Sequence, residues 1–210
     1  MIYLPEVFHE TERETAFDII ERFAFATLIS GSDGGPTISH VPLLVDRSGG
    51  RERLVGHVAR ANRHAALFDG QHDAVAVFSG PHGYVSPAWY AEHPSVPTWN
   101  YAVVHVHGRP AAVSAPATWE IVKALVERFE GEGSRWTDLP SAFVEDNLRA
   151  IVGFEMPVDR VDAKLKLSQN RTVEDRQGVI AGLEKQGAES RGLAAFMKDY
   201  LGRKGGLAPR

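Results

Sequence analysis

Four short stretches of this 210-residue chain hold more polar and aromatic groups than packing alone requires. In TISHVPLL, strand alternation puts Thr37, Ser39 and Val41 on one face and His40 on the other. GHVARANR places His57, Arg60 and Asn62 where a strand runs into a helix. Free backbone N–H groups, a helix dipole and an adjacent guanidinium together make an anion site. VPTWNY offers Trp99 and Tyr101 to flank an aromatic ring, with Asn100 supplying amide donors and an acceptor. KLSQNR packs Lys166, Ser168, Gln169, Asn170 and Arg171 into one polar stretch ahead of a helix. Each stretch also has a plain structural role: Asn62 and Asn170 as caps, Arg60 as a solvated charge, Trp99 as core. Together they form the inventory that a planar polar ring carrying a phosphate requires: aromatics to stack on, amides for the ring edge, Arg, Lys and Ser for the phosphate. Flavin mononucleotide (FMN) fits that description.

Other chemistries lack their residues. The chain has no cysteine, which excludes disulfides, thiolate catalysis and cysteine-held zinc or iron–sulfur centres. GxSxG, P-loop and HExxH motifs are absent. His105 and His107 in VHVHG share one face of a strand, but two ligands without a third read as strand-face histidines, and no metal is expected. His9, His72 and His93 read as solvated loop residues. The net charge is -4, and its distribution is uneven: residues 164–210 carry ten Lys or Arg against five Asp or Glu. An acidic remainder argues against a surface built to neutralise DNA phosphates. The N-terminus lacks the basic-then-apolar pattern of a signal peptide, and no apolar run approaches the roughly 20 residues that span a bilayer. The expectation is a cytoplasmic protein without membrane contact.

The elements that must position these groups are mostly short strands. Thr11 and Glu14 form a capping box ahead of Phe17, Ile19, Ile20 and Phe23, predicting an opening helix. AFATLIS, TISHVPLLVD and RLVGHV, separated by the turns SDGGP and RSGGR, predict two hairpins in a three-stranded meander. A short helix is expected over 62–68, a strand over 73–79, a long aromatic connection through the prolines up to Pro97, and another strand over 101–107. Trp119, Val122, Val126 and Phe129 mark one face of a helix that begins near Pro116. A helix over 141–148, strand-like IVGFEMPVDRVDAKLKLS and closing helices over 173–185 and 190–201 complete the chain. With neither βαβ alternation nor GxGxxG, the fold class is mainly β with appended helices (α+β), a single barrel-like domain over 1–210.

YLPEVF, SHVPLLVD, GHVARAN, GYVSPAWY, VPTWNYAVVHVHG and KLSQNR, in that order, resemble the PaiB-type family of FMN-binding negative transcriptional regulators over nearly the whole chain. The resemblance implies an FMN-binding split β-barrel, two subunits packed as a homodimer, and flavin held by basic and hydroxyl residues on barrel strands. It makes His57, Arg60 and Asn62 phosphate or ribityl candidates and Asn100 a ring-edge candidate. His40, Trp99, Lys166, Ser168, Asn170 and Arg171 complete the cofactor-binding set. No helix-turn-helix supports direct DNA binding. An FMN-dependent oxidoreductase or flavin reductase, with a nicotinamide reductant or a small-molecule substrate, is the alternative, and a haem-binding or haem-degrading split barrel is a third.

Overall fold

The computed structural model describes residues 2–31, 34–131 and 139–207. In chain order the elements are β1 (His9–Glu10), α1 (Arg13–Arg22), β2 (Phe25–Ser30), β3 (Thr37–Pro42), β4 (Leu44–Asp46), β5 (Arg53–Ala59), β6 (Ala74–Val85), β7 (Thr98–Gly108), β8 (Ala111–Ala112), α2 (Ala115–Glu130), α3 (Ser141–Arg149), β9 (Ile151–Pro157), β10 (Arg160–Lys166), α4 (Val173–Glu184) and α5 (Ala188–Arg203). Short 3-10 turns lie at Glu6–Phe8, Arg63–Leu67 and Pro87–Trp89. These elements group into two compact units. The first unit comprises Met1–Thr15, Ser79–Val104 and Asp162–Arg210; the second comprises Ala16–Phe78 and His105–Val161.

In the second unit β2 is the middle strand of a ladder, pairing β3 from Phe25↔Pro42 to Ser30↔Thr37 and β6 from Thr27↔Val77 to Ser30↔Ala74. A separate sheet has the order β4-β5-β9-β8. The three-stranded meander is therefore not formed. TISHVPLLVD breaks at Leu43: β3 stays with β2, while β4 pairs with β5. Pro42 offers no N–H to continue the ladder, and Leu43 turns inward, its own N–H donating to Ala24 O at 2.9 Å. Of the first hairpin turn, residues 32–33 lie outside the described residues.

Helix α1 buries Ala16, Phe17, Ile19 and Ile20. Helix α2 starts at its Ser114 cap, but its buried face is Thr118, Ile121, Val122 and Leu125, one step round from the face read off the sequence, and Phe129 is exposed. The helix is apolar on several sides, and Gly153 settles the choice: a Cβ there would collide with Thr118, so the strand admits the helix only on that side.

In the first unit the strand order is β1-β10-β7-β6, with β1 pairing His9↔Lys164 and Glu10↔Ala163. Strand β6 runs past Pro81 to Val85, so the long connection expected after residue 79 is shortened to 86–97. The terminal helices fall where the sequence placed them and bury Val179, Ile180, Leu183, Leu193, Met197 and Leu201. Gly178 and Gly182, one turn apart on α4, leave a flat patch for Trp89; a Cβ at either would strike the Trp89 carbonyl or ring. Among the described residues no helix is long and apolar enough to cross a membrane.

Candidate functional site

A buried polar cluster occupies the inner face of the β2–β3 hairpin. The Nδ1 of His64 lies 2.9 Å from Ser39 Oγ, and its Nε2 lies 2.9 Å from Ser30 Oγ. The imidazole is fully buried, stacks on Phe68 at 5.6 Å, and burial holds its pKa below the ordinary histidine value. Asn62 joins the cluster by donating from Nδ2 to Ser39 Oγ at 3.0 Å. Its Oδ1 accepts from the His64 N–H at 2.9 Å, capping the 3-10 turn Arg63–Leu67. That turn replaces the short helix expected over 62–68. It is too short to supply much of a dipole, and its cap already satisfies one free N–H, so anion binding here rests on side chains.

The structure brings Arg60 and Asn62 to this turn and separates the other two candidates of the same unit. Arg60 donates from Nε to Arg149 O and from Nη2 to Ile151 O, both at 2.7 Å. Its Nη1 has no hydrogen bond among the described residues. Arg60 lines a cavity of about 400 Å³ with Val113, Thr118, Glu145, Leu148 and Val152. His57 lies on the β5 face that Val55 shares with Ile121 and Leu125 of α2. Its Nδ1 is buried without a hydrogen bond among the described residues, and burial lowers its pKa. His40 points to the opposite face from Ser39, exposed, with Phe25 at 6.4 Å between ring centroids.

The remaining candidates belong to the first unit. Asn100 is fully buried and donates from Nδ2 to Ser168 Oγ at 2.9 Å, with Met197 Sδ at 3.6 Å. Its amide is thus turned into the interior of its unit. Ser168, also buried, carries a backbone φ of 66°. Trp99 is 54% exposed and packs edge-on against Tyr84 and beside His82, each at 6.3 Å. It is therefore a surface platform and not core. Lys166 donates from Nζ to Thr98 Oγ1 and to Trp99 O at 2.7 Å. Burial, then the nearby charges of Lys164 and Arg171, lower its pKa. Arg171 lies 4.4 Å over the Tyr90 ring and 3.9 Å from Asp175. Exposed Asn170 borders an open groove with Gln169, Arg171, Arg176 and Lys204, and Thr172, not Asn170, caps α4.

Sequence reasoning missed His64. A signal was available: Ser30 and Ser39 both occupy inward positions of a hairpin, and buried hydroxyls require a polar partner from elsewhere. The inventory of the second unit fits the phosphate end of a flavin nucleotide. Arg60 presents an Nη1 that has no hydrogen bond among the described residues, and Asn62, held by Ser39, retains a second amide hydrogen.

The family model described as "Putative FMN-binding domain" matches residues 2–160. Protease synthase and sporulation protein PAI 2 of Bacillus subtilis is 30% identical over 204 residues, covering 95% of this chain and 98% of that protein. Among solved structures, the FAD and haem binding protein of Mycobacterium smegmatis aligns with a TM-score of 0.60 at 20% identity, over 75% of this chain and 73% of that one. The flavocytochrome Anf3 of Azotobacter vinelandii aligns with a TM-score of 0.60 at 18% identity, over 75% and 69%. These likenesses agree with the mainly β, split-barrel fold inferred from the sequence.

Proposed function

The chain belongs to the PaiB-type family of FMN-binding domains, and from that membership we propose that it is an FMN flavoprotein with a regulatory role, working in the cytoplasm as a homodimer. The Nη1 of Arg60, without a hydrogen bond among the described residues, two positions before the braced amide of Asn62 in the sequence, supports the assignment of the phosphate to the end of β5. FMN would bring redox-active isoalloxazine chemistry; these residues would bind and orient its phosphate. Arg60→Ala is expected to weaken FMN binding by roughly 10- to 150-fold, since a charge-assisted hydrogen bond contributes about 1.5–3 kcal/mol. Riboflavin, which has the ring without the phosphate, should bind parent and variant alike in fluorescence titrations. Equal behaviour of both ligands on the variant would overturn the phosphate assignment.

A second copy suits the outer face of β2 and β3. Phe25 and Ile38 are 67% and 54% exposed there, and β3 is an edge strand with unpaired backbone groups. Light scattering at micromolar concentration should give twice the chain mass; a monomeric mass would remove the dimer from the proposal. An oxidoreductase reading draws support from Trp99, Tyr84 and His82, exposed aromatics on which a nicotinamide or another planar substrate could stack. Oxidation of NADH or NADPH by FMN-loaded protein would favour it, and a Soret band in the purified protein would favour haem.

A further inference from the structure

We infer that His64 is a positioning residue for the flavin phosphate: through Ser39 it fixes the amide of Asn62. The inference rests on the assignment of the phosphate to Arg60 and Asn62. Ser39 Oγ accepts from Asn62 Nδ2 at 3.0 Å, so its own proton needs an acceptor, and the partner at hand is His64 Nδ1 at 2.9 Å. The remaining nitrogen, Nε2, then carries the imidazole proton and donates to Ser30 Oγ at 2.9 Å. The result is a directed chain from Asn62 to Ser39, His64 and Ser30.

Geometry makes the chain specific. Ser39 stands opposite Leu28 and Ser30 opposite Thr37 in the β2–β3 ladder, so the two hydroxyls are diagonal neighbours on the inner face. An imidazole spans that diagonal with one nitrogen for each. Asn62 is pinned at both ends of its amide, since its Oδ1 accepts the N–H of His64. The same residue therefore braces Asn62 through its backbone and, by way of Ser39, through its side chain. Without the acceptor at Nδ1, the Ser39 hydroxyl is free to rotate and the Asn62 amide is held firmly at its oxygen end alone.

The two ring nitrogens can be tested separately. In His64→Asn the side-chain amide overlays Nδ1, restoring an acceptor for Ser39 and dropping the bond to Ser30. In His64→Gln the amide reaches the Nε2 position, restoring a donor to Ser30 and dropping the bond to Ser39. One neutral hydrogen bond corresponds to about a fivefold change. His64→Gln and Ser39→Ala are each expected to weaken FMN binding about fivefold relative to riboflavin, whereas His64→Asn stays close to the parent. A residue that only filled space would show no such order, and Gln, nearer histidine in volume, would be the milder change. Equal FMN affinities for the Asn and Gln variants, while Arg60→Ala and Asn62→Ala remain selective for FMN, would overturn the positioning role and leave the phosphate assignment intact. Loss of FMN selectivity in Arg60→Ala and Asn62→Ala as well would overturn both. Ser39→Ala removes a single oxygen and keeps the test decisive if His64→Gln does not fold.

Discussion

Two buried polar groups, one in each unit, are made of similar residues and end differently. In the second unit, both nitrogens of His64 and the hydroxyls of Ser30 and Ser39 have partners. In the first, Asn100 Oδ1 and Asp175 Oδ2 are buried without a hydrogen bond among the described residues. For Asp175 the cause is what it is asked to serve. Ser30 and Ser39 stand on paired strands in fixed register, so one side chain can be matched to both. Asp175 and Gln169 instead serve irregular backbone. Asp175 Oδ1 accepts from the Ala91 and Glu92 N–H groups at 2.7 and 3.1 Å. Gln169 accepts from the Leu167 N–H at 2.7 Å and donates to Leu165 O. Side chains that prop loops are placed by the loops' needs, and an oxygen left over is the consequence. Substitutions in the first group should therefore act on stability, and those in the second group on ligand preference.

The strongest way to break that comparison is Asp175→Ala. It strands two backbone N–H groups and removes the carboxylate 3.9 Å from Arg171. A loss of about 3 kcal/mol or more is expected, because a hydrogen bond to a charged group contributes about 1.5–3 kcal/mol. Urea unfolding checks the size, and the FMN-to-riboflavin affinity ratio of the folded fraction should stay at the parent value. A stable variant with an altered ratio would reverse the roles given to the two groups.

How much of this was legible in the sequence follows the same division. The closing helices and most strand positions could be read because periodicity and turn residues act over a few positions. Arg60 and Asn62 could be singled out because cap chemistry is local. His64 could not be assigned from its neighbours, since its partners lie 25 and 34 residues away. The inward turn of Asn100 was hidden for the same reason: its partner Ser168 is 68 residues distant. The break at Leu43 was signalled by Pro42, yet an unbroken apolar run reads as one strand until the pairing of β4 with β5 is known.

Acid sharpens the contrast next. His57 and His64 are both held below the ordinary value of 6.5 by burial, so each holds its proton less tightly in the fold than in the unfolded chain. Below pH 6.5 the unfolded chain takes up protons that the fold does not, and stability must fall as pH falls from 6.5 towards the lowered folded values. Above 6.5 this contribution is complete. The urea midpoint should drop between pH 7.5 and 5, and His64→Asn, with nothing to titrate, should reduce the drop. An equal acid response in parent and variant would show that His64 charges freely inside the fold.

The smallest expected effect comes from Ser168, where two terms of opposite sign meet. Its φ of 66° lies in the left-handed region, which costs a residue with a Cβ roughly 1–2 kcal/mol. Its hydroxyl accepts the Asn100 amide at 2.9 Å, a bond that contributes about 1 kcal/mol. Ser168→Ala removes the bond and keeps the strain. It also leaves the Asn100 amide with only the Met197 sulfur at 3.6 Å, so a loss of about 1–2 kcal/mol is expected. Ser168→Gly removes the same bond but releases the strain, and the greater freedom of glycine in the unfolded chain takes back part of that gain. The glycine variant should therefore be more stable than the alanine variant by about 1 kcal/mol and lie near the parent. Equal losses in both would mean that the backbone at residue 168 is not strained. No loss in either would mean that the hydroxyl does not hold Asn100. In neither variant should FMN lose affinity relative to riboflavin, because this bond steadies the fold of its own unit.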